Sequence, residues 1–197
     1  MKLFAIGAVA LASVLGATAA SAQTAGPANV GPAIPGVCVY FNQQLLAQST
    51  AGQSVQTRME ALAAEVQGEL TPYGTTIQTE AQALQSGAAA IPADQMQTRR
   101  QALQQRVQEA QALEETRRNE LQYTLSEQRR LISAAVEPIL VAVYQEKGCG
   151  ILIDRESVFI MNPAMDVTAT VIQRLNTALP TLTFNRMAVP VQAPQGQ

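Results

Sequence analysis

The sequence predicts an α+β, mainly α protein: a small three-stranded β-body with a C-terminal helix, from which a long antiparallel coiled-coil helical hairpin projects. Three observations carry this. Two long stretches, from about Asn42 and from Asp94 to Lys147, repeat apolar residues mostly at spacings of three, four or seven, with Gln, Glu and Arg between them. Short β-branched and aromatic runs flank them at Val37–Phe41, Ile151–Ile153 and Val158–Met161. Between the two periodic stretches lies Ser86–Asp94, "SGAAAIPAD", an evident break.

In chain order, residues 1–22 read as a secretory signal. Lys2 gives a positive start, Leu3–Leu15 is apolar, and Ala20-Ser21-Ala22 is a small-residue site with cleavage expected after Ala22. The apolar run falls short of the roughly 20 residues a membrane span needs, and no Cys stands at the cut to carry a lipid. The expectation is a soluble exported protein. Residues 23–36, rich in Gly, Pro and Ala, read as a flexible linker.

Val37–Phe41 is the first strand, in a body that takes in residues 37–53 and 148–179, with residues 54–147 as the arm. On the first arm helix Met59, Leu62, Val66, Leu70, Tyr73, Ile77 and Leu84 form one seam, with a kink expected at Pro72 and Gly74. Asp94 is the expected N-cap of the second helix. Its seam runs from Met96, Leu103 and Val107 to Ile132, Val136, Ile139 and Val143, with a bend expected at Pro138. At 1.5 Å per residue, forty-odd helical residues make an arm about 60 Å long. After Gly148, Ile151–Ile153 and Val158–Met161 are expected strands joined by the turn Asp154–Ser157. Asp166 or Thr168 then caps a helix carrying Val167, Val171, Leu175 and Leu179 on one face. Residues 180–197 read as a disordered, Pro-punctuated tail.

The strands are apolar on both faces, and the last helix can cover only one. An uncovered apolar sheet is abnormal in a monomer. Val39, Phe41, Ile151, Ile153, Val158 and Ile160 are therefore expected to join copies of the chain.

Composition narrows the chemistry. With the signal removed the net charge is about −3, and there is no His or Trp. That gives no general attraction to nucleic acid and excludes His-based triads, metal sites and pH switches. Asp154, Glu156 and Ser157 suit a polar turn better than a catalytic group, since no base or oxyanion device accompanies the Ser. Asp166 suits a helix cap better than a metal ligand. The pairs Arg99-Arg100, Arg117-Arg118 and Arg129-Arg130 have Glu114, Glu115 and Glu127 as partners along the helix. Gly68, Gly74 and Gly87 build no phosphate loop. No catalytic residue, cofactor or metal is expected. Cys38 and Cys149 form a disulfide if the first two strands pair side by side, or otherwise remain two buried thiols.

"VYFNQQLLAQSTAGQ" (Val39–Gln53), the long hairpin, "GILIDRESVFIMNP" (Gly150–Pro163) and "DVTATVIQRLN" (Asp166–Asn176) resemble the Skp/OmpH family of periplasmic chaperones. The resemblance covers about Val37–Leu179. It implies a periplasmic homotrimer, jellyfish-like, whose β-rich bodies form one hub and whose arms surround a cavity for unfolded outer-membrane proteins, held without ATP. Met59, Leu62, Val66, Ile77, Leu84, Met96, Leu103 and Val107 would then touch the client. The other reading is a structural coiled-coil envelope protein that tethers partners. The arms depart from the basic arms of the family: Val55–Gln97 has Arg58 against Glu60, Glu65, Glu69, Glu80 and Asp94, and Thr98–Lys147 is nearly neutral. Contact with membrane or lipopolysaccharide is accordingly in doubt.

Overall fold

The computed structural model describes residues 31–87 and 91–190. The expected signal, its cleavage point, most of the expected linker, the centre of the arm tip and the last seven residues lie outside the described residues. Gly31 onward forms one compact unit.

The chain enters through Gly36, whose φ of +77° suits a residue without a Cβ. Strand β1 (Val37–Tyr40) follows. It pairs in parallel with β2 (Ile151–Asp154), in the register Val37 with Ile151 through Tyr40 with Asp154. A parallel pair needs a long crossover, and here the crossover is the entire hairpin. The Gly36 carbonyl fixes the register by accepting from the Gly150 and Ile151 amides, at 2.6 and 3.0 Å.

Helix α1 (Asn42–Gln48) is set off from α2 (Thr50–Ser86) by Ser49, whose hydroxyl accepts from the Gly52 amide at 3.1 Å and caps α2. The corner is so tight that a Cβ on Gly52 would lie 1.9 Å from the Leu46 carbonyl oxygen. Helix α3 (Ala93–Glu146) returns along α2 and runs on into the base. Neither Pro72 nor Pro138 interrupts its helix. Asp94 is not the N-cap: Pro92 holds that position, and Asp94 sits in the first turn, where a negative charge suits the helix dipole.

The expected strand Val158–Met161 does not form. Asp154 Oδ1 accepts from the Glu156 amide at 2.8 Å and starts a 3-10 turn over Arg155–Ser157. Arg155 Nη1 then donates to the Val158 carbonyl, which removes an acceptor a third strand would use. What stands on the far edge of β1 is one bridge, Val39 to Asp166, with the Val167 amide donating to the Val39 carbonyl at 2.9 Å. Among the described residues the sheet has two strands, not three.

A second 3-10 turn (Pro163–Met165) leads to α4 (Thr168–Ala178). Val167 is its N-cap, but Asp166 Oδ1 accepts from the Thr168 amide at 2.8 Å, and the Thr168 hydroxyl accepts from the Phe41 amide at 2.9 Å. Asn176 accepts from the Thr50 amide at 2.9 Å and ties α4 to the start of α2, while Arg174 pairs with Glu146 at the end of α3.

The core sits where these elements converge. Leu45, Val55, Ile132, Val136, Val143, Val171, Ile172 and Leu175 are buried together with Cys38, Tyr40 and Cys149. The base is therefore larger than the expected body, because Ile132–Val143 of the expected arm belongs to it. Outward along the hairpin the seam is thin. Val55, Leu62, Val66 and Leu84 are buried on α2, and on α3 no residue between Met96 and Thr124 is. A bidentate Arg99–Glu80 pair, 2.7 and 3.0 Å, joins the helices near the tip.

Candidate functional site

Among the described residues, nothing lies over one apolar surface of the base. Phe159 is 96% exposed, Ile160 61% and Ile151 52%, on the irregular lobe and β2 edge left when the third strand fails to form. Beside β2, an open groove of about 650 Å³ runs between the strands and the lower part of α3, lined by Tyr40, Val136, Leu140, Val141, Tyr144 and Leu152. A second groove, about 900 Å³, lies between α1, the start of α2 and α3, and shares Asn42, Ser133 and Asp154 with the first. Tyr40 donates to Asn42 Oδ1 at 3.1 Å. Burial, and secondarily the charge of Asp154, push its phenol up to about 12.

The expected association residues divide. Ile151 and Ile160 are open, Phe41, Ile153 and Val158 are half-buried, and Val39 is 1% exposed because β2 and the Asp166 bridge enclose it. Val39 is thus a core residue and not available to another subunit. Phe159, which is not among the expected association residues, is the most exposed large apolar side chain among the described residues.

The expected client residues divide as well. Leu62, Val66, Leu84 and Met96 are buried between the helices and cannot reach a client. A coiled-coil seam buries its own apolar row, so the periodicity that located these residues also removes them from the surface. Leu103 and Val107 are half-buried. Met59 and Ile77 are half-buried but line open grooves, Met59 at the base and Ile77 beside Tyr73 at mid-arm.

Cys38 and Cys149 are disulfide-bonded, with their Cα atoms 5.7 Å apart. Asp154, Glu156 and Ser157 form a turn, and Asp166 bonds the Thr168 amide. Among the described residues there is no cluster of three or more metal-ligating side chains, and no helix is long and apolar enough to cross a membrane. Of the paired arginines, Arg118 meets Glu114 and Arg130 meets Glu127 within α3, while Arg117 crosses to Glu69 on α2 at 2.7 Å.

The segment after α4 was expected to be disordered. Over 180–190 it is extended without regular secondary structure, yet it lies along the hairpin. Leu182 and Phe184 pack on the core, and Arg186 reaches Glu69 at 2.8 Å and Glu120 at 3.0 Å. The sequence held one signal for this. Gln128 occupies a seam position between Leu125 and Ile132, and both it and Thr124 are buried. Buried polar side chains need partners: the Thr124 hydroxyl donates to the Glu120 carbonyl within α3 at 2.7 Å and accepts from the Met187 amide of the C-terminal segment, and the Gln128 amide faces the Met187 sulfur.

Together these features define an arm-bearing protein: a disulfide-closed base with an uncovered apolar lobe, and a sparsely packed helical hairpin. Residues 36–175 match the family of outer membrane proteins described as OmpH-like, and the chain belongs to that family. It is also similar to the crystal structure of an OmpH-like candidate outer membrane chaperone from Caulobacter crescentus CB15, at 30% identity and a TM-score of 0.75 over 84% of this chain and 98% of that one. Comparison with curated proteins gives no match.

Proposed function

We propose that this protein is an ATP-independent holdase of the periplasm that binds unfolded outer-membrane proteins between its arms and keeps them from aggregating. In this reading three copies join through their bases and the hairpins enclose a cavity. The observation that carries it is the uncovered apolar lobe of Ile151, Phe159 and Ile160. Such a lobe beside an open apolar groove suits a contact between subunits. The arms, with a thin seam and half-buried Met59, Ile77, Leu103 and Val107, offer weak and non-specific apolar contacts to a client. Membership of the OmpH-like family and the likeness to a candidate outer membrane chaperone support the same reading.

The test is light scattering of an unfolded porin diluted from urea without ATP, with wild type and Ile160→Asp at equal chain concentration. Wild type should keep the porin soluble. An aspartate buried in a subunit contact is costly when unpaired, so the variant should sediment as smaller species and lose the suppression. A wild type that fails to hold the porin refutes the holdase and favours an envelope tether. A variant that remains oligomeric and active refutes the role given to the lobe.

A further inference from the structure

The C-terminal segment is held in the manner of a bound peptide. The Leu182 amide donates to the Ser54 hydroxyl at 3.0 Å, and the Met187 amide donates to the Thr124 hydroxyl at 2.8 Å. Arg58 Nε donates to the Phe184 carbonyl at 3.0 Å, and its Nη2 donates to Asn185 Oδ1 at 3.2 Å. Side chains from both helices thus capture the main chain of one extended segment, while alternate residues Leu182, Phe184 and Arg186 point to the hairpin: two onto the core and the third between Glu69 and Glu120. Main-chain capture with pockets for alternate side chains is the general means of binding extended polypeptide.

The receiving surface is built for this and not for packing α2 on α3. Thr124 and Gln128 stand one helical turn apart on α3 and are buried, though an apolar side chain at either place would strengthen the seam. The Thr124 hydroxyl donates to the Glu120 carbonyl within α3 and accepts from the Met187 amide, and Gln128 turns its amide to the Met187 sulfur at 3.9 Å. The hold at the cation is incomplete, for Arg186 Nη1 is buried without a partner among the described residues, and an unsatisfied buried donor weakens the association that buries it. The segment also lies beyond the residues that match the family, 36–175.

We propose that residues 182–187 are the resident occupant of an extended-peptide site on the hairpin, and that a stretch of unfolded polypeptide with two alternating apolar side chains followed by a cation displaces them. The second half rests on the holdase reading, so the test has two arms. In the first, a fluorescent synthetic peptide of residues 181–190 is titrated by anisotropy into the full chain, as wild type and as Leu182→Ser/Phe184→Ser/Arg186→Glu. Far-ultraviolet circular dichroism checks that helix content is retained. The milder Arg186→Ala serves if the triple variant loses it. The released variant should bind the peptide at least tenfold more tightly than wild type, and a peptide with Glu in place of its Arg should bind neither. Equal binding to both proteins, or to neither, overturns the site. In the second arm, the released variant should hold an unfolded porin several-fold more tightly than wild type. Unchanged porin affinity overturns the client half. A wild type inactive toward porin removes the holdase reading together with that half, while the peptide titration still decides the site.

Discussion

Cys38 and Cys149 lie 111 residues apart in the chain and 5.7 Å apart in space, so their bond closes a loop that contains the whole hairpin. Cross-linking so long a loop removes conformational freedom from the unfolded chain and, on the chain-entropy account, is worth about 4–5 kcal/mol. Replacing both cysteines by serine should lower the unfolding free energy by that order. Urea titrations at one chain concentration measure it, since any association makes apparent stability depend on concentration. Denatured, unreduced protein should show no free thiol; two labelled cysteines per chain would contradict the bond.

Arg186 and Arg117 both donate to Glu69 and hold its carboxyl below the usual glutamate range. Arg99 does the same for Glu80, and Arg174 for Glu146. A carboxyl whose folded pKa is depressed takes up its proton first in the unfolded chain. Its stabilisation is complete above the unfolded value, about 4.3, and is lost as pH falls through the lower folded value. Thermal unfolding should therefore hold steady from pH 7 to about 5 and drop more steeply below about 4.3. Glu69→Gln should flatten part of that drop. An acid limb identical to wild type would show that Glu69 contributes nothing to it.

How far the sequence reveals this molecule depends on whether a signal is local. The hairpin was legible because a seven-residue repeat persists for dozens of residues, and β1 and β2 because Gly36 and Gly148 bracket β-branched runs. Strand Val158–Met161 was misread because its composition is β-like while its fate is set by Arg155 and Asp154, which close a 3-10 turn just before it. With no strand there to alternate along, Phe159 and Ile160 are both outside. The packed C-terminal segment was missed because its partners lie far back in the chain, Ser54, Arg58, Glu69, Glu120 and Thr124. Only the polar intrusion of Thr124 and Gln128 into an apolar seam marked the place in advance.

Burial ranks two leucines against the repeat, which includes Leu103 and not Leu45. Leu45 is fully buried among the core residues of the base, whereas Leu103 is half-buried on the upper arm. Leu45→Ala leaves a cavity in packed surroundings and should cost about 3 kcal/mol. Leu103→Ala lies where solvent already reaches and should cost about 1 kcal/mol or less. Chemical denaturation of both variants provides the comparison, and similar losses would mean that the upper arm is as tightly packed as the base.

Tyr40 offers a readout of the groove beside β2. Its hydroxyl donates to Asn42 at 3.1 Å, and burial, followed by the nearby Asp154 charge, raises its pKa from 10.0 to about 12. The folded value lies above the unfolded one, so as pH rises past about 10 the unfolded chain releases this proton first. The stability linked to Tyr40 is thus complete below pH 10.0 and declines as pH approaches 12. Absorbance at the tyrosinate band, taken as wild type minus Tyr40→Phe, isolates the group; its midpoint should fall close to 12. Asp154→Asn removes the lesser cause and leaves burial in place, so the midpoint should move down yet stay above 10.0. A wild-type midpoint at 10.0 would mean that water reaches the phenol freely. A midpoint that drops all the way to 10.0 in Asp154→Asn would mean that the carboxylate, and not burial, governs the groove.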